Sequence, residues 1–307
     1  MTAPIVQQFS NAFLENLDRL NQDQSRTLDI VRINAQGNRE NARSKFVWAL
    51  QEVPTDIVVS VATMASQVAK QVLQSKNIPL VFMCVTDPVG AGLIQKVGTA
   101  SNDNITGKIH YISVDTKIEL VMSVIKQSRN KKPIRFGYIY TDYPADLSDL
   151  KRLTSATKQR NDMIIIPYKI PYKPVLENKV YLLQEIKKAA MELKNKIDYF
   201  WSPRGMLTVL PEYDDILLSH PGSPLLVGAT EESVKKGALI HLTGDPASQA
   251  EDVARICTEI LNGKDPGQII VSSPRKFQFS INLSTARKLK LSIPSEIVEL
   301  AAGRLYQ

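Results

Sequence analysis

Hydroxyl and acidic side chains recur where apolar runs of this chain end. Leu80-Val81-Phe82-Met83-Cys84-Val85 is uninterruptedly apolar, and polarity arrives at once with Thr86, Asp87 and Pro88. Val61-Ala62 leads into Thr63, with Met64 and Ala65 opening the segment behind it. Ile139-Tyr140 leads into Thr141-Asp142, Phe200-Trp201 into Ser202-Pro203-Arg204, and Gly228-Ala229 into Thr230-Glu231. A hydroxyl followed by the N–H groups of a helix start can hold a carboxylate, because those amides carry partial positive charge. A carboxylate such as Asp87 or Glu231 can hold an ammonium, and a ring such as Tyr140 can stack on another ring. Ser, Thr and Asp also cap helices, so each position alone is as consistent with capping as with binding. Their recurrence at strand ends argues for a shared ligand, because open parallel sheets bind ligands beyond the carboxyl ends of their strands.

Other chemistries lack their residues. Gly90-Ala91-Gly92 invites a dinucleotide reading, but Gln95 stands where the third glycine belongs. No phosphate loop ending in Gly-Lys-Ser/Thr and no Gly-x-Ser-x-Gly elbow occurs. The carboxylate pairs Asp214-Asp215 and Glu231-Glu232 have no neighbouring histidine. Cys84 and Cys257 are far apart in sequence, as are His110, His220 and His241, so neither a metal site nor a redox pair is expected. Both thiols read as buried and inert. No cofactor is implied and no catalytic residue stands out. The net charge is +7, from 38 Lys+Arg against 31 Asp+Glu. Its cations are scattered through Lys131-Lys132, Lys187-Lys188, Lys235-Lys236 and Arg287, Lys288 and Lys290, which disfavours a nucleic-acid partner. No apolar run reaches the roughly 18 residues of a membrane span.

At 307 residues the chain suits two domains of about 150. Strand and helix patterns alternate almost throughout, which predicts α/β architecture with parallel sheets covered on both faces. Ile5, Phe9, Phe13, Leu17 and Leu20 recur at helical spacing. Strands are predicted at Ile30–Ile33, Ile57–Val61 and Leu80–Val85, with helices around Phe46 and from Ala65. A second series begins after Ile112–Val114, with Asp115 as a helix N-cap. Its strands are predicted at Phe136–Tyr140, Met163–Ile166 (fully buried), Tyr199–Trp201, Leu225–Val227 and Leu239–Leu242. Each series is expected to have about four or five strands. Ala250–Leu261 reads as a helix, Phe277–Ile281 as a strand, and a last helix runs through Ile297 and Leu300. The lobes are expected at 1–113 with about 245–275, and 114–244 with about 276–307.

These segments resemble the substrate-binding proteins of ABC importers, in the family that includes tryptophan- and tyrosine-binding lipoproteins. The resemblance rests on Asn34-Ala35-Gln36-Gly37, Val61-Ala62-Thr63 with Ala65-Ser66-Gln67, and the run from Val81 through Thr86-Asp87-Pro88-Val89-Gly90-Ala91-Gly92-Leu93. It continues through Asn104-Ile105-Thr106-Gly107, Glu231-Glu232-Ser233-Val234 with Gly237-Ala238-Leu239, Ile281-Asn282-Leu283 with Thr285-Ala286, and Leu291-Ser292-Ile293-Pro294. It implies a periplasmic-binding-protein type I fold: two doubly wound Rossmann-like lobes joined by hinge crossovers, with a small molecule between them. It places Thr63, Ala65 and Thr86 at a ligand carboxylate, Asp87 and Glu231 at an ammonium, and Tyr140 at a ring. Thr141, Ser202, Arg204 and Asp245 complete the implied ligand-binding set.

There are three departures. Pro4 already matches the family's first helix, so the first strand of lobe 1 and the export signal are expected to be missing upstream. Pro246 and Ala250 replace a tyrosine and a glycine after Asp245. Arg204 is unusual at a strand end facing a ligand. The resemblance implies an extracytoplasmic receptor, periplasmic or membrane-anchored and acting as a monomer. It would hand a small molecule to an ABC permease and its ATPase. An amino acid is expected, with aromatic ones favoured by the family and by Tyr140. The lack of a leader in Met1-Thr2-Ala3-Pro4-Ile5 keeps open a cytoplasmic ligand-sensing module of the same fold. An enzyme on a Rossmann-like sheet is a third and weaker reading.

Overall fold

The computed structural model describes residues 4–22, 27–125, 133–175, 177–222 and 224–307. Met1-Thr2-Ala3 and the Lys131-Lys132 pair lie outside the described residues. The chain is α/β and forms two compact units, Met1–Tyr111 with Gly244–Lys276 and Ile112–Thr243 with Phe277–Gln307. It therefore passes between them three times.

In the first unit, β1 (Val58–Val61), β2 (Leu80–Val85) and β3 (Ile105–Ile109) form a parallel sheet in the order β1-β2-β3. On one side lie α1 (Pro4–Gln22) and α9 (Pro246–Leu261). Phe9, Phe13 and Leu17 recur at helical spacing on α1 and meet Val253 and Cys257 of α9 and Val81 and Met83 of β2. On the other side α3 (Thr63–Leu73) sets Ala69 and Leu73 against Leu80 and Phe82. α2 (Arg39–Glu52) precedes β1, its N-cap Asn38 accepting from the amide of Asn41. Every residue of β2 is buried because both faces are covered, which accounts for its continuous apolar run.

That run hides an irregularity. The β2–β3 register shifts between Phe82 and Val85, and Cys84 takes φ 55°, rare for a residue with a Cβ. Cys84 packs with Met83, and Val85 packs with Phe82. The inward–outward alternation of β2 thus reverses at a bulge two residues before Thr86. Across from it, Gly107 has φ +158°, and a Cβ there would lie 2.2 Å from the carbonyl oxygen of Phe82. Only glycine fits.

The second unit contains α4 (Val114–Ile125), β4 (Ile134–Thr141), α5 (Pro144–Thr157), β5 (Met163–Ile170), α6 (Lys179–Leu193) and β6 (Tyr199–Trp201). It continues with α7 (Pro211–Leu218), β7 (Leu225–Val227), α8 (Glu231–Lys236) and β8 (Ile240–Gly244). β9 (Phe277–Asn282), α10 (Leu283–Lys288), α11 (Ser295–Leu300) and β10 (Leu305–Tyr306) complete it. Its seven strands run in the order β10-β9-β8-β7-β6-β4-β5. Ile118, Val121 and Met122 of α4 cover Phe136, Tyr138 and Trp201, while Leu182, Ile186 and Ala189 of α6 cover Ile139 and Phe200.

Four expectations are corrected, and one strand was missed. Ile30–Ile33 forms no strand, and Ile30 and Val31 are each 48% exposed. A strand exists only through a paired neighbour, and no ladder joins this segment to β1. The described strands number three and seven, not four or five in each series. β3 escaped the sequence reading because Ile-Thr-Gly-Lys-Ile mixes apolar and polar residues around a glycine. Met163–Ile166 belongs to the edge strand β5, and Ile164 is 44% exposed. Asp115 stands inside the first turn of α4, not at its cap.

Candidate ligand-binding site

In the first unit the candidate residues sit where β1 and β2 end. Thr63 is 3% exposed and opens α3, with the half-buried Ala65 in the same turn. Helices α8, α9 and α10 start with side-chain caps from Thr230, Asp245 and Asn282. α3 starts differently. Its N-cap is Ala62, which has no side chain able to cap and takes φ 80°. The amide of Ser66 reaches the Ala62 carbonyl at 3.0 Å, so the N–H groups of the preceding turn have no partner within the helix. Ser66 pins this turn: its hydroxyl donates to the Ala62 carbonyl at 2.9 Å and accepts from Ser60 at 2.9 Å. Two residues with a Cβ, Ala62 and Cys84, hold left-handed backbone just before Thr63 and Thr86. Such conformations concentrate where a site must be held in one shape. Thr86 is buried at the end of β2. Asp87 is half-buried and accepts from the amide of Gly90 at 2.8 Å, so one of its oxygens closes its own turn. Asp245 caps α9 through the amide of Ser248 at 2.7 Å.

In the second unit Thr141 ends β4 fully buried, and its hydroxyl donates to Asp146 at 2.6 Å while its amide donates to the same oxygen at 3.0 Å. The other oxygen of Asp146 has no hydrogen-bond partner among the described residues and lies against Gly205, where a Cβ would come within 1.2 Å of it. Burial first, offset by the Thr141 hydrogen bonds, pushes the Asp146 carboxyl up to about 7. Ser202 is fully buried beyond β6, its hydroxyl facing that of Tyr213. Half-buried Tyr140 lies 6.1 Å from the ring of Tyr138. Arg204 is half-buried and donates to the carbonyl of Leu242. Glu231 accepts from the hydroxyl of Tyr306 at 2.5 Å and lies 3.4 Å from Arg304, so its charge is already answered within its own unit.

The structure therefore groups Thr63, Ala65 and Thr86 in one unit and Thr141, Ser202 and Arg204 in the other, and gives Asp245 and Glu231 structural partners. The two carboxylate pairs are also engaged: Asp214 accepts from Ser233 at 2.7 Å, and Asp215 pairs with Lys236 at 2.9 Å. Sequence reasoning missed Lys117, Asp146, Asp149 and His241. All four are buried. Burial, then the nearby Arg204, pushes His241 down to about 3, so its ring is neutral. Both cysteines are buried, and burial pushes the Cys257 thiol up to about 12. Among the described residues no group of three or more His, Cys, Asp or Glu is placed to hold a metal, and no helix is long and apolar enough to cross a membrane.

The sequence profile described as "ABC transporter substrate binding protein" matches residues 4–304. A curated relative, the tyrosine-binding protein of Clostridioides difficile (strain R20291), is 25% identical over 253 residues, which are 82% of this chain and 67% of the relative. A conserved domain protein from Vibrio cholerae superposes with a TM-score of 0.79 at 21% identity, covering 100% of this chain and 97% of the other. An ABC domain from Streptococcus pneumonia, solved in complex with L-Trp, has a TM-score of 0.79 at 18% identity, covering 99% of this chain and 96% of the other.

Proposed function

Because the chain belongs to the family of ABC transporter substrate-binding proteins, we propose that it is a non-enzymatic, extracytoplasmic receptor that binds an amino acid and delivers it to a membrane permease. The observation that carries this reading is the start of α3. A helix beginning at an alanine in left-handed backbone, beside the buried hydroxyls of Thr63 and Thr86, keeps first-turn amides available to an anion. An α-carboxylate suits that place: it accepts several N–H and O–H bonds at once and meets the positive end of the helix. The relatives described as tyrosine-binding and as holding L-Trp support the amino-acid class. They also put aromatic members among the ligands to test. Receptors of this kind respond through contacts that differ between open and closed forms.

Calorimetry with the purified full chain against the amino acids tests the proposal. One saturable ligand is expected, with Thr86→Val weakening it about tenfold, the loss of a charge-assisted hydrogen bond of roughly 1.5 kcal/mol. Absence of heat with every amino acid would sink the receptor reading.

A further inference from the structure

Two side chains of α3 tie down the turn that follows Thr86. The chain leaves β2 there and folds back on itself, with the amides of Ala91, Gly92 and Leu93 donating to the carbonyls of Asp87, Val89 and Pro88 at 2.9, 2.9 and 2.8 Å. The turn ends as helices often do, at a glycine in left-handed backbone, Gly92 with φ 71°. The carbonyls of Ala91, Gly92 and Leu93 lie past its end, and α3 takes them. Gln67 donates through Nε2 to the carbonyl of Ala91 at 3.1 Å. Lys70 donates through Nζ to the carbonyls of Gly92 and Leu93 at 2.9 and 2.8 Å. The two donors are three residues apart, so they share one face of the helix. An ammonium at the carbonyl end of a turn also meets the negative pole of its dipoles. Arg39 of α2 donates to Oε1 of Gln67 at 2.9 Å, which fixes the side of the amide that faces Ala91. At its other end the turn is closed by Asp87, which accepts from the Gly90 amide.

We infer that Gln67 and Lys70 are positioning residues for ligand binding: they hold the turn after Thr86 against α3, so that Thr86 keeps a fixed place relative to the amides at the start of that helix. The inference rests on the receptor reading and concerns the first unit alone. Thr63 opens α3 one turn before Gln67 and two turns before Lys70. A single helix therefore carries both the amides offered to a carboxylate and the clasp on the end of the neighbouring strand. Gln67 and Lys70 are only half-buried, and hydrogen bonds exchanged with water add little net stability. Groups that must meet one ligand together lose affinity when they drift by a fraction of an ångström. Loss of the clasp is therefore read in affinity before it is read in stability.

Calorimetry on the full chain with each of the protein amino acids tests the inference, using wild type, Gln67→Leu, Lys70→Met and Lys70→Arg. Unliganded thermal midpoints and hydrogen exchange are measured on the same proteins. Gln67→Leu and Lys70→Met should each weaken the amino acid that wild type binds by about tenfold. Both should speed exchange in peptides over residues 86–93, with the unliganded midpoint within about 2 °C of wild type. Lys70→Arg should restore the affinity, because a guanidinium still offers donors to both carbonyls. Gln67→Leu removes no charge, so a loss confined to Lys70→Met would overturn the inference in favour of plain attraction between the lysine and the ligand. Wild-type affinity in both variants would overturn it and leave the receptor reading standing. So would a loss that tracks a fallen midpoint and that Lys70→Arg does not rescue, since the two residues would then hold the fold and not the site. No heat from wild type with any amino acid would remove the receptor reading, and this inference with it.

Discussion

Asp146 shows what one buried side chain contributes and how it can be read out. Its folded carboxyl sits near 7 against 3.8 in the unfolded chain. Between those values the folded chain keeps a proton that the unfolded chain releases. Its stabilising contribution is complete below about 4 and is lost as pH rises through 7. His241 has the opposite sign, since its folded value of about 3 lies below the ordinary 6.5 and its contribution is lost as pH falls. The two offset each other in the wild type, so a comparison with Asp146→Asn isolates the carboxyl. Asparagine keeps the oxygen that accepts from Thr141 and does not titrate. Urea unfolding should show the variant gaining on the wild type by a few kcal/mol between about pH 4.5 and 7.5, because each step of one in pH across that window is worth roughly 1.4 kcal/mol. Parallel curves would show that Asp146 ionises normally. The places of Thr63 and Thr86 just past β1 and β2 were legible in the sequence because a hydroxyl ending an apolar run is a local pattern. Lys117 and Asp146 were not, because a charged residue in an amphipathic helix reads as a solvent face until a tertiary neighbour covers it.

At the scale of elements, the helices and most strands followed from periodicity, and the failures have a common cause. Periodicity reports how a segment buries its side chains, whereas a strand also needs a hydrogen-bonded neighbour that only topology supplies. Ile30–Ile33 has the composition of a strand and no ladder; Ile105–Ile109 has a ladder and little of the composition. The β2 bulge was equally hidden, since six consecutive apolar residues look the same whether or not alternation reverses among them. Gly107 makes that bulge testable. Substitution by alanine places a methyl against the Phe82 carbonyl and holds an L-residue at φ +158°. We expect Gly107→Ala to cost about 2–4 kcal/mol in chemical denaturation and to weaken ligand binding as well, because β2 carries Thr86. A loss below about 0.5 kcal/mol would mean the strand shifts freely and the bulge does not fix Thr86.

Across the whole molecule the two units are unequal in how their sheets are closed. β6, β7 and β8 each have a strand on both sides, while β1 has a single neighbour among the described strands and its residues are mostly half-buried. Backbone amides exchange with solvent through local opening, whose free energy follows how many packed contacts and paired neighbours must be broken. Fraying of β1 breaks one ladder. Opening of β7 breaks two and exposes Leu225, Leu226 and Val227, all buried on both faces. Hydrogen exchange followed by mass spectrometry should therefore show peptides over Val58–Val61 exchanging at least tenfold faster than those over Tyr199–Trp201 and Leu225–Val227. Saturating ligand should slow the Val58–Val61 peptides and the start of α3, because that turn supplies the amides proposed to meet the carboxylate. Ligand at one hundred times its Kd stabilises the bound state by about 2.7 kcal/mol, enough to separate the two exchange curves clearly. Protection confined to the second unit would locate binding there alone and remove α3 from the site.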